Sequence, residues 1–109
     1  MYKTGDIILI PFPFIEYTGA KKVRPSVVVC ETADGYHDVV VCAISSVMPP
    51  ILSANEIPLL PDTSNNLRTS SVLKVDRIVT VQAINIIAKL GELSAVDQAV
   101  FITKFRSLV

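Results

Sequence analysis

Three groups of residues in this sequence have the types and spacing to do chemistry on a phosphate. The first lies in GDIILIPFPFIEYTGAKKVRPSVVV, Gly5 to Val29, where Lys21, Lys22 and Arg24 stand at the mouth of a strand-loop-strand unit. Pro25 biases Arg24 towards extended backbone, so the guanidinium leaves the base of the loop from a defined place. Arginine offers a planar fork of N–H donors matched to phosphate oxygens. The second is the serine pair Ser45 and Ser46 that ends VVVCAISSV, which sets a hydroxyl near the same rim if the first three strands pair in order. The third is Lys74 and Asp76, two apart on a strand and hence on one face, with Arg77 on the other. If that face closes the basic rim, Asp76 is a proton acceptor and Lys74 a second phosphate contact. Asp6 and Glu16 are weaker candidates for the acceptor.

Each group also has a plainer reading. A basic loop is commonly solvated, with its arginine in a surface ion pair. Most Ser-Ser pairs merely terminate strands, and a lysine and aspartate on one strand face usually form a solvated ion pair. Other chemistries lack their residues. His37 is the sole histidine and sits in the turn DGYHD, and no G-x-S-x-G elbow occurs, so a serine hydrolase has no base and no nucleophile site. Cys30 and Cys42 lie in Val-rich runs outside any C-x-x-C spacing, and read as small buried hydrophobes rather than zinc ligands or a redox pair. No two carboxylates have a metal-like spacing, so neither a metal nor another cofactor is expected.

The elements that must position these groups are mostly strands. Asp6 to Phe14, Pro25 to Cys30 and Val39 to Ser45 are Val- and Ile-rich runs separated by Gly, Pro and Asp, a β meander. Asp34-Gly35, between the second and third, predicts a hairpin whose turn needs positive φ. IEYTGAKKVR, between the first and second, is an exposed loop. Pro49, Pro50, Pro58 and Pro61 make residues 46 to 70 loop-rich, with at most one edge strand near Glu56 to Leu60 and a polar loop at TSNNLRTSS. Ser71 to Val81 is a further strand, while residues 82 to 91 read equally as a short helix or a strand. From Ser94, with Asp97 three residues on, a capping-box-like start opens a C-terminal helix. Apolar residues wrap more than half of it, so it should touch its own sheet and a second subunit.

Composition sets the outer bounds. The 109 residues are 50% apolar and 18% charged, with ten basic against ten acidic side chains, which describes one compact soluble domain spanning residues 1 to 109. A chain of this size buries roughly 65% of its unfolded surface, enough for a core without a metal or disulfide framework. Zero net charge excludes a long polycationic surface, so nucleic acid would be held by a local cluster. Runs such as Val39 to Ile44 are too short to cross a bilayer and MYKTGD lacks a signal-peptide layout, which places the chain in the cytoplasm with no membrane partner. Five or so strands and a terminal helix make a mostly β (α+β) fold, a small antiparallel barrel.

In order and spacing, GDIILIPFPF, KKVRPSVVV, VVVCAISS, EIPL, SSVLKVDRIVTV and AKLGELS before a terminal helix resemble the MazF/PemK-like toxins of type II toxin–antitoxin modules. The resemblance runs over nearly the whole chain. It implies an SH3-like barrel with a C-terminal helix, a homodimer, and a metal-independent endoribonuclease that cuts single-stranded RNA, the RNA supplying its own 2′-hydroxyl as nucleophile. The family's R-P arginine falls on Arg24 and its strand-end threonine on Ser45, which keeps the hydroxyl without the methyl. An Arg and Asp pair implicated in cleavage in the PemK branch falls on Lys74 and Asp76, where lysine keeps the charge without the fork. The branch's loop histidine has no counterpart in IEYTGAKK. Arg24, Ser45 and Asp76 are thus the expected catalytic residues. Lys21, Lys22, Lys74, Phe14, Tyr17 and the Leu67 loop are expected at the RNA. A cognate antitoxin would bury the same rim with an acidic or apolar segment. The alternative is a catalytically weak binding protein, or a gyrase poison resembling CcdB on the same barrel, for which the tail RSLV, without tryptophan, gives little support.

Overall fold

The Val- and Ile-rich runs form three consecutive antiparallel strands, Asp6–Phe12 (β1), Lys22–Glu31 (β2) and Val39–Ser45 (β3). The computed structural model describes residues 1–12 and 22–109. Phe14, Glu16, Tyr17 and Lys21 lie outside the described residues. β2 begins three residues earlier than expected: Lys22, Val23 and Arg24 pair with Phe12, Pro11 and Ile10 of β1, so Lys22 and Arg24 belong to a strand rather than to the loop. Pro25 lies one residue beyond the last β2–β3 pair, Ser26 with Ala43, and interrupts no ladder on that side. The β2–β3 hairpin has the positive φ values its sequence demands, +89° at Gly35 and +57° at His37. Asp34 accepts hydrogen bonds from the Thr32 hydroxyl at 2.8 Å and the Tyr36 amide at 3.2 Å. The Thr32 bond is foremost in holding the Asp34 carboxyl below its ordinary pKa.

Three more strands and a helix complete the fold: Glu56–Leu59 (β4), Ser71–Val81 (β5), Ala88–Glu92 (β6) and Ala95–Arg106 (α1). The strand order is β4-β5-β3-β2-β1-β6, with every pairing antiparallel. Pro58 sits in edge strand β4, where a missing N–H is tolerated. Residues 82 to 91 hold both predicted alternatives in sequence, a single 3₁₀ turn at Ala83–Asn85 and then β6.

The sheet curls into a half-barrel, and the turn after β4 reaches the far edge. The Glu92 amide donates to the Ser64 carbonyl at 3.0 Å, and the Asn66 side-chain amide donates to the Leu90 carbonyl at 2.9 Å. Asn65, wholly buried, organises this turn. Its Oδ1 accepts from the amides of Asp62 at 3.0 Å and Leu67 at 2.9 Å, and its Nδ2 donates to the Leu60 carbonyl at 2.8 Å. The predicted polar loop TSNNLRTSS is therefore tied to β6, and the Leu67 side chain itself lies in the core. Gly91 is required by this approach, because a Cβ there would lie 2.4 Å from the Ser64 carbonyl oxygen and 2.8 Å from that of Asn65. Gly91→Ala is expected to destabilise the protein by about 1–3 kcal/mol through this overpacking, read as a lower midpoint in urea unfolding.

Strand alternation builds a core on each face of the sheet. Ile7, Val27, Cys42, Ile44, Leu73 and Val75 meet Phe101 of α1 on one face; Ile8, Ile10, Val28, Val39 and Val41 pack with Tyr2, Val79 and Ile86 on the other. α1 starts as its sequence predicts, the Ser94 hydroxyl accepting from the Asp97 amide at 3.2 Å. Ile102, Phe105 and Leu108 lie on the core beside Phe101, whereas Val96 is 73% exposed and Val100 38%.

The cysteines divide. Cys42 is buried as expected, but Cys30 is exposed. A bulge between Val28 and Cys30 shifts the register so that Cys30 pairs with Val40 near the strand end, away from the core. Burial first, and then the charge of Asp76, pushes the Cys42 thiol up to about 12. The folded state prefers the neutral thiol, so this contribution to stability is complete below the ordinary thiol pKa and is lost as pH rises above it. Iodoacetamide at pH 8 is expected to label Cys30 alone in the native protein and both cysteines after unfolding, as counted by intact mass.

Candidate active site

Arg24, Ser45, Lys74 and Asp76 come from three different strands and line one groove of roughly 660 Å³. Strand register explains the meeting. Ser26 pairs with Ala43 and Ala43 with Lys74, forming a row across β2, β3 and β5, and continuing the β2–β3 register by two residues sets Arg24 across from Ser45. Ala43, in the middle of that row, also lines the groove.

The groove also contains Arg77, which strict alternation had assigned to the opposite face. β5 is not regular there. Its register jumps from Lys74 opposite Ala43 to Ile78 opposite Cys42, so Val75, Asp76 and Arg77 oppose no residue of β3. The Val75 amide donates instead to the Asn55 carbonyl at 2.9 Å, its side chain stays in the core, and its carbonyl accepts from the Cys42 thiol at 3.3 Å. Extra residues in one strand re-aim the side chains around them, and here Asp76 and Arg77 both turn outwards and exposed. No residue in KVDR signals this, which is why alternation alone missed Arg77.

The four expected residues differ in what already occupies them. Arg24 is half-buried, and its Nε is a buried donor without a hydrogen-bond partner. An unsatisfied buried donor is costly, and an anion oxygen in the groove would relieve it. The Ser45 Oγ accepts from the Val47 amide at 3.1 Å, closing the strand, which leaves its own proton to donate. The Lys74 ammonium is taken. It lies 3.2 Å from the Glu56 carboxylate on β4, whose residue is its cross-strand partner. A hydrogen bond from the Ser53 amide, and next the Lys74 ammonium, hold the Glu56 carboxyl below its ordinary pKa. Lys74 therefore pairs with Glu56 rather than with Asp76. Asp76 has a long 3.5 Å contact from the Asn55 side-chain amide and no cation within 4.0 Å among the described residues. Its carboxylate is open to the groove.

Other expected residues fall elsewhere. Asp6 is buried and engaged, with the Lys89 ammonium 3.2 Å away and the Lys3 amide donating at 3.0 Å. Asp6 is the main cause of a raised Lys89 pKa. Lys22 heads β2, where its backbone pairs with Phe12. His37 lies in the hairpin turn 3.8 Å from Glu31, away from the groove. Among the described residues, no three His, Cys, Asp or Glu side chains gather as metal ligands would.

Such a chain is a small half-barrel protein with a terminal helix and a groove lined by Arg24, Lys74 and Arg77. Its sequence matches, over residues 3–108, the family described as PemK-like, MazF-like toxin of type II toxin-antitoxin system, and the chain belongs to that family. Among solved structures it is similar to an endoribonuclease in complex with its cognate antitoxin from Mycobacterial species, at 15% identity and a TM-score of 0.73, over 98% of this chain and 93% of that one. It is also similar to the Mycobacterium tuberculosis toxin MazF-mt6, at 20% identity and a TM-score of 0.70, over 94% of this chain and 93% of that one. A further Mtb toxin aligns at 21% identity with a TM-score of 0.61, over 79% of this chain and 92% of that one. No curated protein sequence matches. The structural likenesses show the shared fold, and among the described residues no helix is long and apolar enough to cross a membrane.

Proposed function

We propose that this protein is a metal-independent, sequence-specific endoribonuclease that cuts single-stranded RNA, acting as the toxin of a type II pair in the cytoplasm. The observation that carries the reading is the convergence of Arg24, Ser45 and Asp76 from three strands on one groove. Transesterification of RNA needs little else. Asp76 accepts the 2′-hydroxyl proton as the 2′ oxygen bonds to phosphorus, and the bond from phosphorus to the 5′ oxygen breaks. A 2′,3′-cyclic phosphate remains, and the departing 5′ oxygen takes a proton from water to become a hydroxyl. Arg24 neutralises the charge that builds on the phosphoryl oxygens, and Ser45 donates to one of them. Lys22 at the head of β2, together with Phe14, Tyr17 and Lys21 from the segment between β1 and β2, supplies phosphate contacts and base stacking.

A homodimer and an antitoxin complete the proposal. Val96 and Val100 on the outer side of α1 provide apolar surface for a second copy. The antitoxin covers the cationic rim with an acidic or apolar segment, competing directly with RNA. One observation favours a catalytically weak binding protein instead, the commitment of Lys74 to Glu56. Nothing comparable favours a gyrase poison, since Leu108 in the tail packs on the core.

The test is to incubate purified, antitoxin-free protein with a long single-stranded RNA in EDTA and map the 5′ ends. Cuts at a recurring short sequence bearing 5′-hydroxyls support the ribonuclease. Intact RNA from folded protein contradicts it and leaves the weak binder.

A further inference from the structure

The groove holds three cationic side chains, and the structure separates them by availability. Lys74 spends its charge on Glu56, 3.2 Å away and only 11% exposed, so an incoming phosphate would have to compete with a carboxylate already in place. Arg24 and Arg77 face no carboxylate within 4.0 Å among the described residues. Arg77 enters the groove only because β5 carries three unpaired residues between Lys74 and Ile78, and it stands next to Asp76, the open carboxylate. An exposed arginine beside the open carboxylate thus shares the groove with a half-buried arginine whose Nε is unsatisfied, so two guanidinium forks without a carboxylate partner line one site. We propose that Arg77, and not Lys74, is the second phosphate-binding residue of this site, gripping the RNA backbone together with Arg24.

This rests on the ribonuclease reading and adds a residue to it. The chemistry assigns Arg77 two separable contributions. Its charge displaces a counterion, which any cation would do, whereas its planar fork fixes the phosphate by two N–H bonds, which lysine cannot reproduce. Lys74 keeps a different task, that of holding β4 to β5 through Glu56.

Two readouts on one set of variants test this. A 2′-O-methyl RNA oligonucleotide, which cannot be cut, is titrated by fluorescence anisotropy at several salt concentrations, and an unmodified RNA reports the cleavage rate. Arg77→Ala is expected to weaken binding about tenfold and to reduce the slope of log K against log salt by about 0.7, one single-strand phosphate contact. Arg77→Lys is expected to recover the salt slope but not the cleavage rate. Lys74→Met is expected to affect binding less than Arg77→Ala and to lower the thermal midpoint more. An unchanged salt slope in Arg77→Ala, or a larger binding loss in Lys74→Met, overturns the assignment while wild-type cleavage stands. Wild-type protein that neither binds nor cuts RNA instead removes the ribonuclease reading itself.

Discussion

Arg24→Ala is expected to lower the cleavage rate about a hundred- to a thousandfold, the usual cost of removing one donor that stabilises a developing oxyanion. Structure makes the effect specific to chemistry. Arg24 is half-buried at the β1-facing end of β2, its Nε makes no hydrogen bond, and no ion pair ties it to the fold among the described residues. Removing the guanidinium deletes an unsatisfied buried donor, so the thermal midpoint should stay level or rise while activity falls. Arg24→Lys keeps the charge and should recover only part of the rate, because a point charge cannot reach two oxygens at once. Full activity in Arg24→Ala would remove this residue from the mechanism.

The largest stability effect is expected at Phe101. Its side chain is buried at 1% exposure between α1 and the sheet, with its ring centroid 6.0 Å from that of Phe105 at an interplanar angle of 56°. Phe101→Ala should cost about 3–5 kcal/mol, from lost transfer energy and the cavity left against Leu73 and Val75. In a domain of this size that lowers Tm by well over about 10 °C. Neighbouring attachments do not replace the ring: the Lys104 ammonium donates to the Ala54 carbonyl at 2.7 Å, but that bond is exposed. A loss below about 1 kcal/mol would mean that α1 docks chiefly through other residues.

Much of this architecture is legible in residue patterns because local chemistry decides it. Val- and Ile-rich alternation gives β1 to β3, Asp34-Gly35 gives the hairpin, Ser94 with Asp97 starts the helix, and Pro58 marks the edge strand. What the patterns hide depends on partners distant in sequence. The start of β2 at Lys22 is set by pairing with β1, and the outward turn of Cys30 by a bulge. The joining of Asp62–Leu67 to β6 depends on Ser64 and Glu92 meeting across the half-barrel. In the groove, residue types point to Arg24, Ser45, Lys74 and Asp76, and register brings them together. That Glu56 would claim Lys74, and that unpaired residues in β5 would deliver Arg77, are both consequences of strand register that period-two reasoning cannot contain.

These corrections alter the balance of charge in the groove. Lys74 is paired with Glu56, which leaves Arg24, Arg77 and Asp76 as the groove's charged side chains without an ion-pair partner among the described residues. In the proposed mechanism this groove positions an RNA phosphate for attack by the RNA's own 2′-hydroxyl. Its most direct test is cleavage, in EDTA, of an oligonucleotide that spans a mapped cut site and carries a single 2′-deoxy nucleotide on the 5′ side of the scissile phosphate. This one missing hydroxyl is expected to abolish the cut while binding persists and neighbouring unmodified sites are still cleaved. Cleavage that continues at the deoxy position would contradict it, because the nucleophile would then have to come from elsewhere.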